Sequence, residues 1–391
     1  MIDIFDDYIL QREELLARIA QELQLDPTRL ERMESAYKSV AELLKKDSSF
    51  FDGLTIEVYS QGSKRIGTTV RPINGEDFDL DVVLHIFDPH YNHTPLEIYN
   101  ALVKALEKDN RYKSIMEKKK RCVRLNYKSD FHMDILPACM PNHFEKELIK
   151  IPEKALQNWS SGNPKGFAGW FLNIANSAKE PMLRKFSPEL LKAQIETESL
   201  SEELYLKTPL QRAVQLMKRY RDLYFQNQDY YVSSIVITTL TALYYHGENS
   251  IFEAIDNVLT KIKSNYNKTV NGGDKFRILN PVNEEEDFTD SWTNKHYECF
   301  YKFIDDFYKK WQSLKRTFET SNGDYIRLFG EGIYKKSLNE QFKKFSKSTR
   351  NPLAKYSGLI VGGTARTNSK GIINTNTGVK NGNHYNFGGR Y

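Results

Sequence analysis

The run Asp77-Phe78-Asp79-Leu80-Asp81-Val82-Val83-Leu84 sets two carboxylates two residues apart at the head of an apolar segment. Alternation along a strand sends Asp79 and Asp81 to one face, while Phe78, Leu80 and Val82 take the other. Adjacent carboxylates repel, so such a pair is costly unless a cation bridges it, and hard oxygen ligands select Mg²⁺ or Mn²⁺. Two such ions ~4 Å apart can clamp the attacking and leaving oxygens of an in-line displacement at phosphorus.

Working outward, Ser60-Gln61-Gly62-Ser63-Lys64-Arg65-Ile66-Gly67-Thr68-Thr69 follows the strand-like Leu54-Thr55-Ile56-Glu57-Val58-Tyr59 and has helix-start chemistry. Glycine permits close backbone approach, and the Ser63 hydroxyl with free N–H groups suits a phosphate. It is not a Walker A loop, because no Gly-Lys-Ser/Thr follows the first glycine at the required distance. Downstream, Phe131-His132-Met133-Asp134-Ile135-Leu136-Pro137 offers a third carboxylate, Asp134, from a second strand-like run. Each element alone has a plainer reading: Gly-Ser is usually a turn, Asp-x-Asp is often an exposed polar face, and a lone Asp before Ile-Leu-Pro is commonly a turn or cap. In this order and spacing they point to a two-metal nucleotidyl-transfer site, and hence to an enzyme that handles nucleoside triphosphates.

With those residues in place, the stretches Gln61 to Pro72 and Asp77 to Asp81 resemble the bacterial cGAS/DncV-like nucleotidyltransferases, the SMODS-type second-messenger synthetases of CBASS antiphage systems. Three further stretches carry the resemblance: Trp159 to Phe171, Thr208-Pro209-Leu210-Gln211-Arg212-Ala213 through Asp222, and Asn280-Pro281-Val282-Asn283 through Trp292. It spans about residues 50 to 345. The Gly-Ser and Asp-x-Asp motif belongs to the wider polymerase-beta-like superfamily, whereas the later stretches are more specific to this branch.

The resemblance implies an α+β, bilobed architecture: a polymerase-beta-like core with a mixed sheet, and a helical C-terminal lobe. It implies that Asp79, Asp81 and Asp134 bind two Mg²⁺ or Mn²⁺ ions and act in catalysis, that Gly62 and Ser63 hold the donor triphosphate, and that Lys218 with Ser233 or Ser234 completes the phosphate grip. Asn280 is a weaker nucleotide-site candidate. The implied activity is condensation of NTPs, ATP with GTP or pyrimidine nucleotides among them, into a cyclic di- or trinucleotide with release of pyrophosphate. The implied partners are a regulatory protein or an enzyme that modifies the C-terminal tail, and an effector that senses the product. Two rivals stay open: a linear transferase (a tailing enzyme or protein-modifying toxin), and a catalytically silent nucleotide-binding scaffold.

Helix geometry bears on Lys218. Thr208 suits a cap and Pro209 a first turn, and Leu210, Ala213, Val214, Met217, Tyr220 and Tyr224 form one apolar stripe. Lys218 falls at its edge, where it can snorkel to solvent or reach into a cleft. Arg212 and Arg219 are expected on the opposite, far face. Ser233-Ser234 opens an apolar run, so capping and phosphate contact are both open.

Punctuation divides the chain into helices over 1–50 broken at Asp26-Pro27-Thr28, a catalytic core over 51–155 with a helix from Pro95 to Lys108, a helical lobe over 156–345, and a tail over 346–391. Phe300, Tyr301, Phe303, Ile304, Phe307, Tyr308 and Trp311 read as core rather than base-stacking platforms. Asn280 to Asp287 reads as a turn feeding a helix, with acids favourable near its start. From Asn351 the chain holds eight glycines, five Lys or Arg and no acid, a composition for a flexible tail; conjugation through the C-terminus is the alternative.

The remaining composition excludes more than it assigns. No stretch of 18 apolar residues appears and the start lacks a basic-then-apolar layout, so a cytoplasmic protein without a membrane span is expected. Cys122, Cys139 and Cys299 lack zinc spacing and read as reduced structural residues, and His90-x-x-His93 reads as loop rather than metal site. Net charge of +5 makes no broad claim to nucleic acid. The basic run Lys118-Lys119-Lys120-Arg121, with Arg124 and Lys128, is either a protected hairpin edge or a surface that steers triphosphates or binds an RNA or DNA activator.

Overall fold

The two acidic runs become neighbouring parallel strands of one mixed sheet. The computed structural model describes residues 4–178 and 207–347, except positions 48, 76, 129, 146, 154, 273–275 and 316–317, together with the dipeptides Arg366–Thr367, Ile373–Asn374 and Val379–Lys380. The strands are β1 (Ile56–Ser60), β2 (Phe78–Pro89), β3 (Met116–Lys118), β4 (Val123–Tyr127), β5 (Phe131–Met140), β6 (Ile149–Pro152) and β7 (Trp159–Gly162), in the order β1-β2-β5-β4-β3, with β6 on β5 and β7 on β6. β2 and β5 run parallel and the other pairs are antiparallel.

Period-two alternation sorts the faces. Phe78, Leu80, Val82 and Leu84 of β2 bury with Phe131, Met133 and Ile135 of β5, each large side chain contributing ~1.5–3 kcal/mol. This face is covered by α2 (Pro27–Lys45), which follows α1 (Ile4–Glu22), and by α4 (Pro95–Glu107), which follows the single turn α3 (Gly62–Arg65) and precedes α5 (Asn110–Lys113). Thr94 caps α4 through a capping box with Glu97 and Pro95 opens its first turn, as the helix expected over this stretch requires. The opposite face of β2 and β5 carries the acids.

The helical lobe comprises α6 (Pro164–Asn176), α7 (Pro209–Phe225), α8 (Ser234–Leu243), α9 (Ile251–Gly272), α10 (Asn294–Ser313) and α11 (Phe318–Phe329). The α10 aromatics are core: Phe300, Phe303, Phe307 and Trp311 are fully buried, and Trp311 stacks on Phe252 at 5.0 Å. α1 joins this lobe, because the buried Glu13 accepts from Ser250 Oγ at 2.8 Å and from the Ile251 and Phe252 amides, satisfying the open N-terminus of α9. The N-terminal helices therefore divide between lobes, α2 lying on the sheet.

The expectation for Arg212 and Arg219 is corrected. α7 is buried on every side, with Arg212 at 1% exposure and Arg219 at 7%. Its apolar stripe is as expected and Thr208 caps it in a box with Gln211, but its polar side faces other protein. Arg212 Nη2 donates to Gln21 of α1 at 3.2 Å and Arg219 Nε to the Phe329 carbonyl at 3.1 Å. A second correction concerns Asn280 to Asp287, which form a hairpin, β8 (Leu279–Asn280) and β9 (Asn283–Asp287), rather than a helix start. Asn280 Oδ1 accepts from the Val282 amide at 3.1 Å around Pro281, an Asx turn that reverses the chain.

The described residues to Gly330 belong to one compact unit, and Glu331–Lys347 (α12) belongs to a second. In the tail the three described dipeptides pair antiparallel; the expected flexibility of the rest falls outside the described residues. No helix among the described residues is long and apolar enough to cross a membrane.

Candidate active site

Parallel register brings the three acids together. Asp81 pairs with Asp134 and Asp79 with His132 across β2 and β5, so the three carboxylates share the face turned away from the sheet core. Burial, then Asp134 and Asp79, push the Asp81 carboxyl up to about 6, partly offset by Lys218 and Arg124. A carboxyl left so unfavourably charged is a group a cation would stabilise.

Gly62 completes the acidic corner. It has a φ of +60°, and a Cβ there would lie 2.9 Å from Asp81 Oδ2. Only glycine fits both the left-handed backbone and this approach. The Gln61 amide donates to the Asp81 carbonyl at 2.9 Å, fixing the turn to β2. Ser63 follows at the rim of the cleft.

α7 braces the same turn from the other lobe. Gln211 Nε2 donates to the Ile66 carbonyl at 3.0 Å and Gln215 Nε2 to the Thr69 carbonyl at 2.9 Å. Lys218 Nζ donates to Thr68 Oγ1 at 3.1 Å and to its carbonyl at 3.3 Å. Of the two routes open to Lys218, the structure takes the inward one: it is 4% exposed and lines the cleft. Burial, then Arg221, push its ammonium down to about 7.

The cleft between the sheet and the helical lobe has a volume of about 1330 Å³. It is lined by Gly62, Ser63, Asp79, Asp81, Lys218, Ser234 and Asn280 among the anticipated residues. Ser234 Oγ accepts from Arg221 Nη1 at 2.6 Å, whereas Ser233 stands at the start of α8 without a side-chain cap bond and outside the lining. Asn280 is buried and donates Nδ2 to Glu286 at 2.8 Å, itself at the cleft.

Sequence reasoning missed three contributors. Tyr231, 55% exposed, lines the cleft with the Arg221 guanidinium 4.9 Å from its ring centre; nothing in its sequence neighbourhood marks it. His132 lies within 3.4 Å of Asp79 and 3.3 Å of Asp77. Arg124 donates Nε and Nη2 to the two Asp134 oxygens, both at 2.7 Å, and Nη2 to Asp79 at 3.1 Å. Its signal was the basic run, which the structure splits: Lys118 and Lys119 pair with Glu107 and Glu117 at the β3 edge, Arg121 lines the cleft, and Arg124 enters the site.

Three hard oxygen donors on one strand pair, one of them unfavourably charged, fit divalent ions in kind. Among the described residues no three metal-ligating side chains already converge as a finished cage, and Arg124 holds both oxygens of Asp134.

A family model described as Second Messenger Oligonucleotide or Dinucleotide Synthetase domain matches residues 11–174. A c-di-GMP synthase of Roseivirga ehrenbergii is 38% identical over 349 residues, covering 88% of this chain and 90% of that one. The cyclic dinucleotide synthase CdnG of Bradyrhizobium diazoefficiens is 26% identical over 233 residues, 55% of this chain and 54% of that one. In fold, the chain is similar to the B. diazoefficiens CD-NTase CdnG in complex with GTP, with a TM-score of 0.68, 21% identity and coverage of 84% of this chain and 98% of that one. It is also similar to E. coli MS115-1 CdnC in a CdnC:HORMA-deltaN complex, at a TM-score of 0.59, 14% identity and coverage of 82% and 97%. With 38% identity to one of these proteins over 88% of its own length and a matching family model over its sheet, the chain belongs to the cGAS/DncV-like nucleotidyltransferase (CD-NTase) family of second messenger oligonucleotide or dinucleotide synthetases.

Proposed function

We propose that the protein condenses two nucleoside triphosphates into a cyclic dinucleotide and releases pyrophosphate, as a signal in antiphage defence. The register that sets Asp134 beside Asp81 carries this reading, since Asp81 and Asp79 line a cleft that also holds Gly62, Ser63 and Lys218, with Asp134 on the neighbouring strand behind them. A volume of about 1330 Å³ exceeds the ~300–1,000 Å³ of a site for one drug-sized ligand. That size supports a site for more than one nucleotide.

Asp79 and Asp81 would hold Mg²⁺ or Mn²⁺ on the donor triphosphate, with Asp134 completing a second ion site. Bound ions supply charge neutralisation at the α-phosphate and acidify the acceptor hydroxyl. The Ser63 hydroxyl and the Lys218 ammonium, which burial keeps pointed inward, grip the phosphates; Ser234 lies next to Arg221 at the same wall. Tyr231 offers an exposed ring at the cleft for a base to stack on, and Asn280 with Glu286 offers polar groups for a base edge. Cyclisation follows if the cleft keeps the linear intermediate and exchanges the roles of its two ends.

GTP is the first substrate to try, since the 38% identical relative is called a c-di-GMP synthase. A regulatory protein is a candidate partner, as CdnC has been solved with a HORMA protein; a tail-modifying enzyme and a cyclic-nucleotide effector are the others. Incubation with single and paired labelled NTPs and Mg²⁺, then phosphatase treatment and mass spectrometry, tests the proposal. A phosphatase-resistant dinucleotide is expected. Phosphatase-sensitive oligomers or labelled protein would favour the linear transferase instead.

A further inference from the structure

Four charged side chains stand in one register row across the sheet. Asp81 pairs with Asp134, Asp134 with Arg124, and Arg124 with Glu117, on β2, β5, β4 and β3 in turn. Directly opposed residues of neighbouring strands share a face and lie within side-chain reach. The row therefore reads acid, acid, base, acid from the centre of the site to the edge of the sheet.

Arg124 leans wholly inward in this row. Its Nε and Nη2 take both oxygens of Asp134 at 2.7 Å, and Nη2 also reaches Asp79 at 3.1 Å. A planar guanidinium gripping a carboxylate on both oxygens is among the strongest polar contacts, and the carboxylates hold this one firmly charged. The oxygens it occupies are those a divalent ion would use. On its outer side Glu117 is bound by Lys119 at 2.5 Å, while the Arg124 side chain is 21% exposed and Glu117 48%. Both side chains reach solvent, and Glu117 is the register partner of Arg124 on its outer side.

We propose that Arg124 is a switch cation: it stands in for a metal on Asp134 and Asp79 while the site is idle, and moves one strand outward to Glu117 when metal and triphosphate arrive. An idle site keeps Asp134 and Asp79 compensated by Arg124, and the second ion becomes favourable only once a triphosphate helps draw it in. Arg124 is in this account a positioning residue, acting through Asp134. The inference rests on the reading of Asp79, Asp81 and Asp134 as metal ligands.

The test is Mn²⁺ binding to the full chain without nucleotide, followed by the EPR signal of free Mn²⁺. Arg124→Gln should bind Mn²⁺ ~10-fold more tightly than wild type, the worth of a charge-assisted two-pronged contact. Adding Asp134→Asn should abolish that gain. Equal affinity of Arg124→Gln and wild type would overturn the proposal, as would a gain that survives Asp134→Asn. Arg124→Lys keeps the charge without the fork; an affinity above wild type supports the switch and an unchanged one overturns it, even if Arg124→Gln fails to fold. Glu117→Gln should weaken Mn²⁺ binding in wild type and leave Arg124→Gln unaffected; weakening in both would overturn the hand-off to Glu117. If no variant, wild type included, takes up Mn²⁺ with or without GTP, the metal-site reading falls along with the switch. Wild-type binding with unchanged variants removes the switch alone.

Discussion

Asp81→Asn should make the metal-free protein more stable while removing its activity. The Asp81 carboxyl is pushed up to about 6 by burial and by Asp134 and Asp79, after the help it receives from Lys218 and Arg124. Against an ordinary carboxyl value near 3.8, that gap corresponds to ~3 kcal/mol of unfavourable charge in the folded state. The sign follows from proton uptake. The folded chain holds this proton more tightly than the unfolded chain, so the cost is absent below pH ~4, grows through the interval and is complete above pH ~6. Asparagine keeps the shape and removes the charge, so the variant should gain up to ~3 kcal/mol at pH 7.5 and nothing at pH 4. Denaturant unfolding in EDTA at several pH values measures the gain, and Mg²⁺ with GTP should then raise the melting temperature of wild type but not of the variant. Turnover should fall ~100-fold or more, since even second-layer partners of metal ligands cost 10–100-fold. A variant less stable than wild type at pH 7.5, or equally improved at pH 4, would refute the argument that burial, reinforced by the neighbouring carboxylates, makes a charged Asp81 costly here.

Further outcomes follow from the same geometry. Gly62→Ala should lose activity and ~1–3 kcal/mol of stability, because alanine meets both a left-handed backbone and the Asp81 carboxylate at 2.9 Å; wild-type turnover would contradict this. Arg212→Ala should lower stability by ~2 kcal/mol or more in denaturant unfolding, since it empties a buried site between α7 and α1. Lys218→Met should raise the KM for NTP. Since burial pushes the Lys218 ammonium down to about 7, the charge penalty is complete below pH ~7 and fades towards pH ~10, so this variant's stability gain should be largest at pH 6 and vanish at high pH.

Much of the site was legible because strand geometry is simple. Period-two alternation alone put Asp79 and Asp81 on one face, and the apolar run around Asp134 marked it as a strand of the same kind. What the sequence could not supply was the neighbour of each strand. Arg124 became a site residue only because β4 pairs with β5 in a register that sets it opposite Asp134. The same limit explains α7: its apolar stripe was read correctly, but a stripe says nothing of what covers the other side, and here α1 and the Ile66–Thr69 turn bury Arg212, Gln215 and Lys218. Asn280 to Asp287 misled because acids after a turn suit a helix start, while the Asx turn at Asn280 closed a hairpin. Tyr231, in the connection between α7 and α8, depended on the packing of Arg221 from α7.

The most direct measurement is an anomalous-scattering map of crystals grown with Mn²⁺ and a non-cleavable GTP analogue. The account predicts manganese signal at Asp79 and Asp81 with a second signal reaching Asp134, and the triphosphate lying against Ser63 and Lys218. Manganese bound elsewhere, or a triphosphate away from the Gly62-Ser63 turn, would contradict it.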